Sequence, residues 1–339
     1  MRCHTLFTAL LVTAVSTSAA TTPATAQTPM SEIDAHIAAA KTAAGLDYRA
    51  TFVNLCFPTP LPGGPRGAAA LLAPRPAPDR GIWYASPYRV FDNLYWLGTR
   101  QHSSWALKTS AGLIIIDTNF AWATQPEILD GLAKLKLAPK DIKYVILSHA
   151  HGDHDQGVAT LQSRFGAKVV MGGPDWDATL KRAPDVAGGV PMRGPGDIAV
   201  GPEGSKVTLG DTTVDIIFTP GHTPGTLSYV FPVKDKGKTV MVAYSGGTLT
   251  GAFGADAKRW DEYIDSQKRM AAAAAAVGAS VILSNHSEYD NAYTKARLVS
   301  VKREVGEDNP FIVGPESVQN YFTVMEECAT ASKLRNGAK

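Results

Sequence analysis

The run Leu147-Ser-His-Ala-His-Gly-Asp-His-Asp155 constrains the fold more than any other part of the chain. It sets His149, His151, Asp153 and His154 within six positions, directly after the apolar stretch Lys143-Tyr-Val-Ile-Leu147. A strand sends successive side chains to alternate sides. One that ends here and curls at Gly152 therefore aims His149 and His151 the same way and returns Asp153 and His154 beside them. Imidazole and carboxylate donors gathered like this suit zinc, whose ligands stand roughly 2.0–2.2 Å away. The competing reading is a polar loop whose histidines cap a helix, but three histidines and an aspartate on one turn are costly to hold together without a cation.

Two further histidines supply what that cluster lacks. His222 lies in Thr219-Pro-Gly-His-Thr-Pro-Gly225 and His286 in Leu283-Ser-Asn-His286. Each follows a β-like apolar run, Val214 to Phe218 and Val281 to Leu283. Taken alone, either could be a satisfied core histidine. Taken with the first cluster they complete two sets of three, and a catalytic zinc site typically keeps three protein ligands and one open position.

In order and separation, these motifs resemble the metallo-β-lactamase superfamily, over most of the chain from about Asn93 to the C-terminal helix. The all-histidine first set is similar to the third subclass of class B β-lactamases, in which no cysteine is a ligand. The resemblance implies an α/β fold, a four-layer αβ/βα sandwich, and a cofactor of two Zn2+ ions. His149, His151 and His222 would hold the first ion, and Asp153, His154 and His286 the second. A metal-bound hydroxide would open the β-lactam amide, with Asp153 orienting it. Asp117, closing Leu113-Ile-Ile-Ile-Asp117, matches the family's buried aspartate behind the ligand loop; the alternative is an exposed turn residue. Thr223, Thr226 and Ser228 match positions where the third subclass binds a carboxylate. Phe120, Trp122 and Trp176 would either wall an apolar groove or be plain core aromatics.

One position departs from the wider superfamily. The glyoxalase II type thioesterases carry a bridging aspartate in the turn after the strand that here reads Thr239 to Ala243, yet this chain continues Tyr244-Ser-Gly-Gly-Thr248, and either Ser245 or Gly246 takes that place. This favours a secreted dizinc β-lactamase. The main alternative is a lactonase or esterase with the same dizinc mechanism, because a metal hydroxide attacks any acyl carbon presented to it and fold is not function. A non-catalytic metal-binding protein is the third reading.

The chain has 339 residues, 45% of them hydrophobic and 19% charged, with a formal net charge of +2. That is enough for a sizeable core and too mild a charge for a nucleic-acid partner, which needs a basic patch. The expected partner is a small molecule, acted on by a monomer. Residues 1–26 read as a cleaved signal peptide: a charged start, a short apolar stretch from Thr5 to Val15 and a small-residue tail with Ala24-Thr-Ala26. The apolar stretch is too short to span a membrane, so the expected location is the periplasm or outside the cell. Removing residues 1–26 removes Cys3 and leaves Cys56 and Cys328 either as a pair, worth about 4–5 kcal/mol by chain entropy, or as two buried thiols.

Residues 27–85 read as an N-terminal helix (Met30 to Arg49, apolar at Ile33, Ile37, Ala40 and Ala44) and a Pro-rich arm from Pro58 to Arg80. Residues 86–339 form the hydrolase domain. Strands are expected at Tyr88–Leu97, Trp105–Thr109, Leu113–Asp117, Tyr144–Leu147, Lys168–Met171, Val207–Leu209, Thr212–Phe218, Thr226–Phe231, Thr239–Ala243 and Val281–Leu283. Helices are expected at Gln125–Leu135, Val158–Phe165, Pro174–Leu180, Trp260–Val277, Asn291–Arg303 and Ser317–Ala331. The Gly/Pro-rich stretch from Ala183 to Gly204 is the expected lid. His102 and Tyr289 are exposed-loop candidates for substrate contact, with the plain loop reading preferred, and His36 reads as a helix surface residue.

Overall fold

The computed structural model describes residues 31–58, 76–248 and 253–338. The expected signal peptide and most of the Pro-rich arm lie outside them. Helices α1 (Glu32–Ala44) and α2 (Arg49–Cys56) come first. Seven strands follow: β1 (Tyr88–Arg89), β2 (Leu94–Trp96), β3 (Trp105–Thr109), β4 (Gly112–Ile116), β5 (Ile142–Ile146), β6 (Lys168–Gly172) and β7 (Ile198–Val200). They form one sheet in chain order, antiparallel from β1 to β4 and parallel from β4 to β7. Helix α3 (Val158–Phe165) connects β5 to β6. The second sheet, in the order β12-β11-β10-β9-β8, takes β8 (Ser205–Leu209), β9 (Thr212–Phe218), β10 (Leu227–Asp235), β11 (Lys238–Ser245) and β12 (Val281–Ser284). Helices α4 (Ala257–Ala276) and α5 (Pro315–Arg335) flank β12 in sequence.

The residue patterns explain the layers. Along β9, Thr212, Val214, Ile216 and Phe218 are buried while their neighbours are half-exposed, the period of two expected of a strand with one covered face. Its inward residues meet Trp96, Trp105, Ile114, Ile116 and Ile146 from the first sheet in one core between the sheets. The opposite set in the first sheet, Ala106, Leu113, Ile115, Val145 and Val169, lies under Ile128, Leu132, Val158, Leu161 and Trp176. The outer face of the second sheet, through Val230, Ala243 and Ile282, lies under Trp260, Met270, Tyr321 and Met325 of α4 and α5. Two sheets between two helical layers make the expected αβ/βα sandwich. β4 is covered on both faces, which accounts for its unbroken Leu113-Ile-Ile-Ile116 run.

Cys56 and Cys328 form the disulfide, closing α2 onto α5 across a sequence separation of 272. Among the described residues no helix is long and apolar enough to cross a membrane.

Several expectations need correction. The strand expected at Tyr88–Leu97 breaks into β1 and β2, because the backbone N–H groups of Val90 and Phe91 both turn back to the Leu94 carbonyl. The helix expected at Gln125–Leu135 contains a π-helical turn, Thr124–Leu129, in which Pro126 has no N–H to offer the ladder. A second N-terminal helix, α2, follows a left-handed turn at Gly45 (φ 49°) and buries Thr51, Leu55 and Cys56. The stretch expected as a lid contains β7, and its Gln162 contacts at Met192 and Asp197 tie it to α3. His36 lies on α1 as a half-buried residue, and its Nδ1 stands 2.5 Å from Glu327 Oε2 on α5.

Candidate metal centre

The candidate ligands sit beyond strand ends that converge on one edge of the sandwich: residues 149–154 after β5, His222 between β9 and β10, and His286 after β12. His149 is the most informative. Its Nδ1 lies 2.9 Å from the Gly246 carbonyl, which can only accept, so Nδ1 carries the proton and Nε2 a lone pair. That Nε2 is buried and has no hydrogen-bond partner. A buried lone pair without a donor costs free energy unless a cation takes it. His151 Nδ1 and His222 Nε2 are 3.1 Å apart, and one ring nitrogen from each of His149, His151 and His222 falls within a mutual 4.8 Å.

The second cluster lies alongside. Asp153 Oδ2 stands 3.2 Å from His154 Nε2 and 3.3 Å from His286 Nε2, and those two nitrogens are 3.2 Å apart. Donors about 2.1 Å from one tetrahedral ion are separated by roughly 3.3–3.6 Å, so the residues present fit a cation.

Charge agrees with this. Burial holds His149 and His222 well below the usual imidazole range and His151 at about 4, which leaves their nitrogens free of the second proton. Burial alone would raise Asp153, but His154, His286 and His102 outweigh it and keep the carboxylate ionised. His154 is raised to about 10 against the effect of burial, by Asp153 on one side and Asp117 on the other. A cation at Nε2 would take the place of that proton, the ordinary coupling of metal binding to deprotonation.

Asp117 is fully buried, not an exposed turn residue. Its Oδ1 accepts from the Ser148 N–H (2.7 Å), and its Oδ2 accepts from the Ser148 hydroxyl (2.7 Å) and the Tyr244 hydroxyl (2.9 Å). Oδ2 also stands 3.2 Å from His154 Nδ1. The same residue thus fixes the start of the ligand loop and the ring of a ligand. It does so from a left-handed backbone conformation, φ 56°.

Three supports carry no motif. Buried Asp175, beside β6, accepts from Ala150 N–H (2.8 Å), the Thr223 hydroxyl (2.8 Å) and Gly225 N–H (2.9 Å), and so ties the 149–151 loop to the His222 loop. Arg182 bridges the Asp155 carboxylate and the Ala150 carbonyl. Arg259 donates to the carbonyls of Gly221 (2.8 Å) and His222 (2.6 Å). The one sequence signal for Asp175 is its place in Gly172-Gly-Pro-Asp175 at a strand end, where a side chain on Gly172 would meet Gly225 O at 1.9 Å.

The expected substrate contacts divide. Thr223, Thr226 and Ser228 are buried, and their hydroxyls are committed within the protein: Thr223 to Asp175, Thr226 to Thr223, Ser228 to Thr219 and the Gly246 N–H. Phe120 and Trp122 remain half-buried and stacked, with ring centroids 5.1 Å apart and planes 15° from parallel. Trp176 is a core residue whose Nε1 donates to Ile198 O. Tyr289 is half-buried with its ring 6.1 Å from that of His286. His102 is no exposed loop residue: its Nε2 lies 3.5 Å from Asp153 Oδ2, a placement that the sequence does not show.

Comparison with known proteins agrees with this geometry. The hydroxyacylglutathione hydrolase of Bradyrhizobium sp. strain BTAi1 is 28% identical over 221 residues, covering 62% of this chain and 80% of that protein. Among solved structures, BJP-1, a subclass B3 metallo-beta-lactamase of Bradyrhizobium japonicum, is 27% identical with a TM-score of 0.61, covering 79% of this chain and 97% of the other. The native FEZ-1 metallo-beta-lactamase of Legionella gormanii shares the fold at 22% identity and TM-score 0.64, covering 75% and 98% of the two chains. The metallo-beta-lactamase superfamily pattern is matched over residues 97–235. That segment carries five of the six expected donors, and His286 joins them from the remainder of the shared fold. Residues 97–235 thus carry the pattern of the metallo-beta-lactamase superfamily, and the chain shares the fold of the metallo-beta-lactamase BJP-1.

Proposed function

We propose that the protein is an exported dizinc hydrolase whose substrate is the β-lactam amide. The observation that carries this reading is the turn after β11. A thioesterase of this superfamily is expected to place a bridging carboxylate there, and here Tyr244 to Thr248 contain none. Nor is there room: a Cβ on Gly246 would lie 1.6 Å from Leu227 O, and one on Gly247 2.6 Å from His222 Cβ. By the alternation of β11, Tyr244 reaches inward to Asp117 and Ser245 points to the opposite face. Gly246 instead presents its carbonyl to His149.

Zinc bound at the two donor sets would supply Lewis acidity for a carbonyl oxygen and acidify a water. The protein's own contribution is orientation. Gly246 O and Asp117 hold His149 and His154 in the tautomers that aim Nε2 inward, and ionised Asp153 provides an acceptor for the proton of an attacking water. Phe120 and Trp122 offer the apolar surface against which a fused ring can lie. Export is supported by the N-terminal 26 residues and by the disulfide, which persists in oxidising compartments.

A second reading, hydrolysis of a thioester, ester or lactone, is favoured by the likeness to a hydroxyacylglutathione hydrolase. Nitrocefin and imipenem should be assayed beside S-lactoylglutathione, an aryl ester and an acyl-homoserine lactone, each with and without chelator. The proposal expects chelator-sensitive opening of the β-lactams with kcat/KM above that for the others. Thioester turnover with intact β-lactams would overturn it. Cell fractionation with N-terminal sequencing tests the export, which a cytoplasmic protein retaining residues 1–26 would refute.

A further inference from the structure

We propose that His102 is an additional protein donor to the cation at Asp153, so that this site draws on four side chains, His102, Asp153, His154 and His286. The proposal rests on the dizinc reading above and adds a ligand to it.

His102 lies on the loop between β2 and β3, far in sequence from every other donor, and its backbone is fixed. It forms a β-bridge with His286. On either side, Ser103 N–H donates to Asn285 O (2.8 Å) and Ser287 N–H to Gln101 O (2.7 Å). The His102 N–H donates to the Thr99 hydroxyl at 2.9 Å. The ring is held as firmly. Nδ1 is 3.3 Å from Thr99 Oγ1, and the Phe120 ring meets it edge to face at 5.1 Å. These contacts leave Nε2 facing Asp153 Oδ2 at 3.5 Å, within the range of two ligands on one tetrahedral ion. His102, Asp153 and His286 each bring a donor atom within a mutual 4.8 Å. The side chain is only 13% exposed. A histidine buried against a carboxylate and two other imidazoles, with one nitrogen anchored at a hydroxyl, has the arrangement by which a neighbouring group orients a metal-binding ring.

Asp153 and His286 are therefore common to two triads. One is completed by His154, which is fully buried and backed by Asp117; the other is completed by His102 at the aromatic wall of Phe120 and Trp122. An ion engaged by both has fewer open positions than an ion held by three ligands. It should be retained more tightly, and contact between His102 and the Phe120 edge links its coordination to whatever lies on that wall.

The test uses the mature, disulfide-bonded protein, depleted of metal and titrated with Co2+ and with Zn2+ against a chromophoric chelator. Wild type and the variants His102→Leu and His102→Gln are compared, with circular dichroism to verify folding. The expected result is that both variants bind the ion at Asp153 at least about tenfold more weakly, with the other equivalent unchanged and an altered Co2+ visible spectrum for the affected one. Two equivalents in wild type, with affinities and spectra unchanged in both variants, would overturn this inference and leave the dizinc reading intact. Fewer than two equivalents in wild type would overturn both.

Discussion

Replacing Asp175 tests whether the two ligand loops are held by one buried carboxylate. In Asp175→Ala the backbone N–H groups of Ala150 and Gly225 lose their acceptor, and so does the Thr223 hydroxyl. Orphaning a buried donor costs about 1–3 kcal/mol, so the two amides alone set a loss of roughly 2–6 kcal/mol. Part is offset, because the carboxylate no longer has to be desolvated, and burial already pushes the Asp175 pKa up. A net loss of about 2–4 kcal/mol is expected. Asp175→Asn keeps the shape but turns one acceptor into a donor facing an N–H, so it should fall between wild type and alanine. Ala150 separates His149 from His151, and Thr223 adjoins His222, so first-cluster metal affinity should fall with stability, about 10–100-fold by analogy with residues that support ligands. Urea unfolding of the metal-depleted protein and a zinc competition titration read the two effects separately. Unchanged midpoint and unchanged affinity in Asp175→Ala would show that this carboxylate does not hold the loops.

Other consequences are equally open to measurement. Glu127 is buried, with Oε1 accepting from Ala85 N–H at 3.3 Å, and burial pushes its pKa up to about 8 against the opposing effects of Ala85, Arg80 and Lys134. Because the folded pKa lies above the unfolded one, its contribution to stability is complete below about pH 4 and lost as pH rises through about 8. Glu127→Gln should therefore gain on wild type from pH 5 to 9, by an amount on the order of a few kcal/mol; parallel stability curves would contradict this. Reduction of Cys56–Cys328, which closes a loop of 272 positions, should lower unfolding free energy by about 3–5 kcal/mol, and an unshifted urea midpoint under reductant would argue otherwise. Gly246→Ala, whose Cβ would collide with Leu227 O, should disturb the carbonyl that sets the His149 tautomer, and elemental analysis should find metal lost; full retention would exclude that role.

What could be read from the sequence follows a physical division. The candidate donors on residues 149–154, His222 and His286 were legible as a cluster because each stands next to an apolar run that ends in a loop, and the structure brings their side chains to one edge. Helix α4 was legible from the Ala-rich run Trp260 to Val277, a strong helix former by propensity alone; in the structure α3 and α4 are followed by Gly166 and Gly278 in left-handed conformations. β9 alternated as a half-covered strand must. His102 was not legible, since its neighbours at the site come from two other loops and nothing local marks it. Asp175 was nearly as silent, marked only by the Gly172-Gly-Pro run at a strand end, because its role is to satisfy backbone amides on other segments. Thr226 and Ser228 misled for the opposite reason: polar residues beside a ligand suggest solvent and substrate, but here their hydroxyls satisfy groups buried behind the site. The π-turn at Thr124–Leu129 and the three-residue β7 fall below what local periodicity resolves.

The most direct test of the account is to titrate metal-depleted protein with Zn2+ while following nitrocefin or imipenem hydrolysis. Turnover should be absent without metal and rise to a plateau at two equivalents. Full β-lactam turnover in the metal-free protein, or none at saturating zinc, would contradict it.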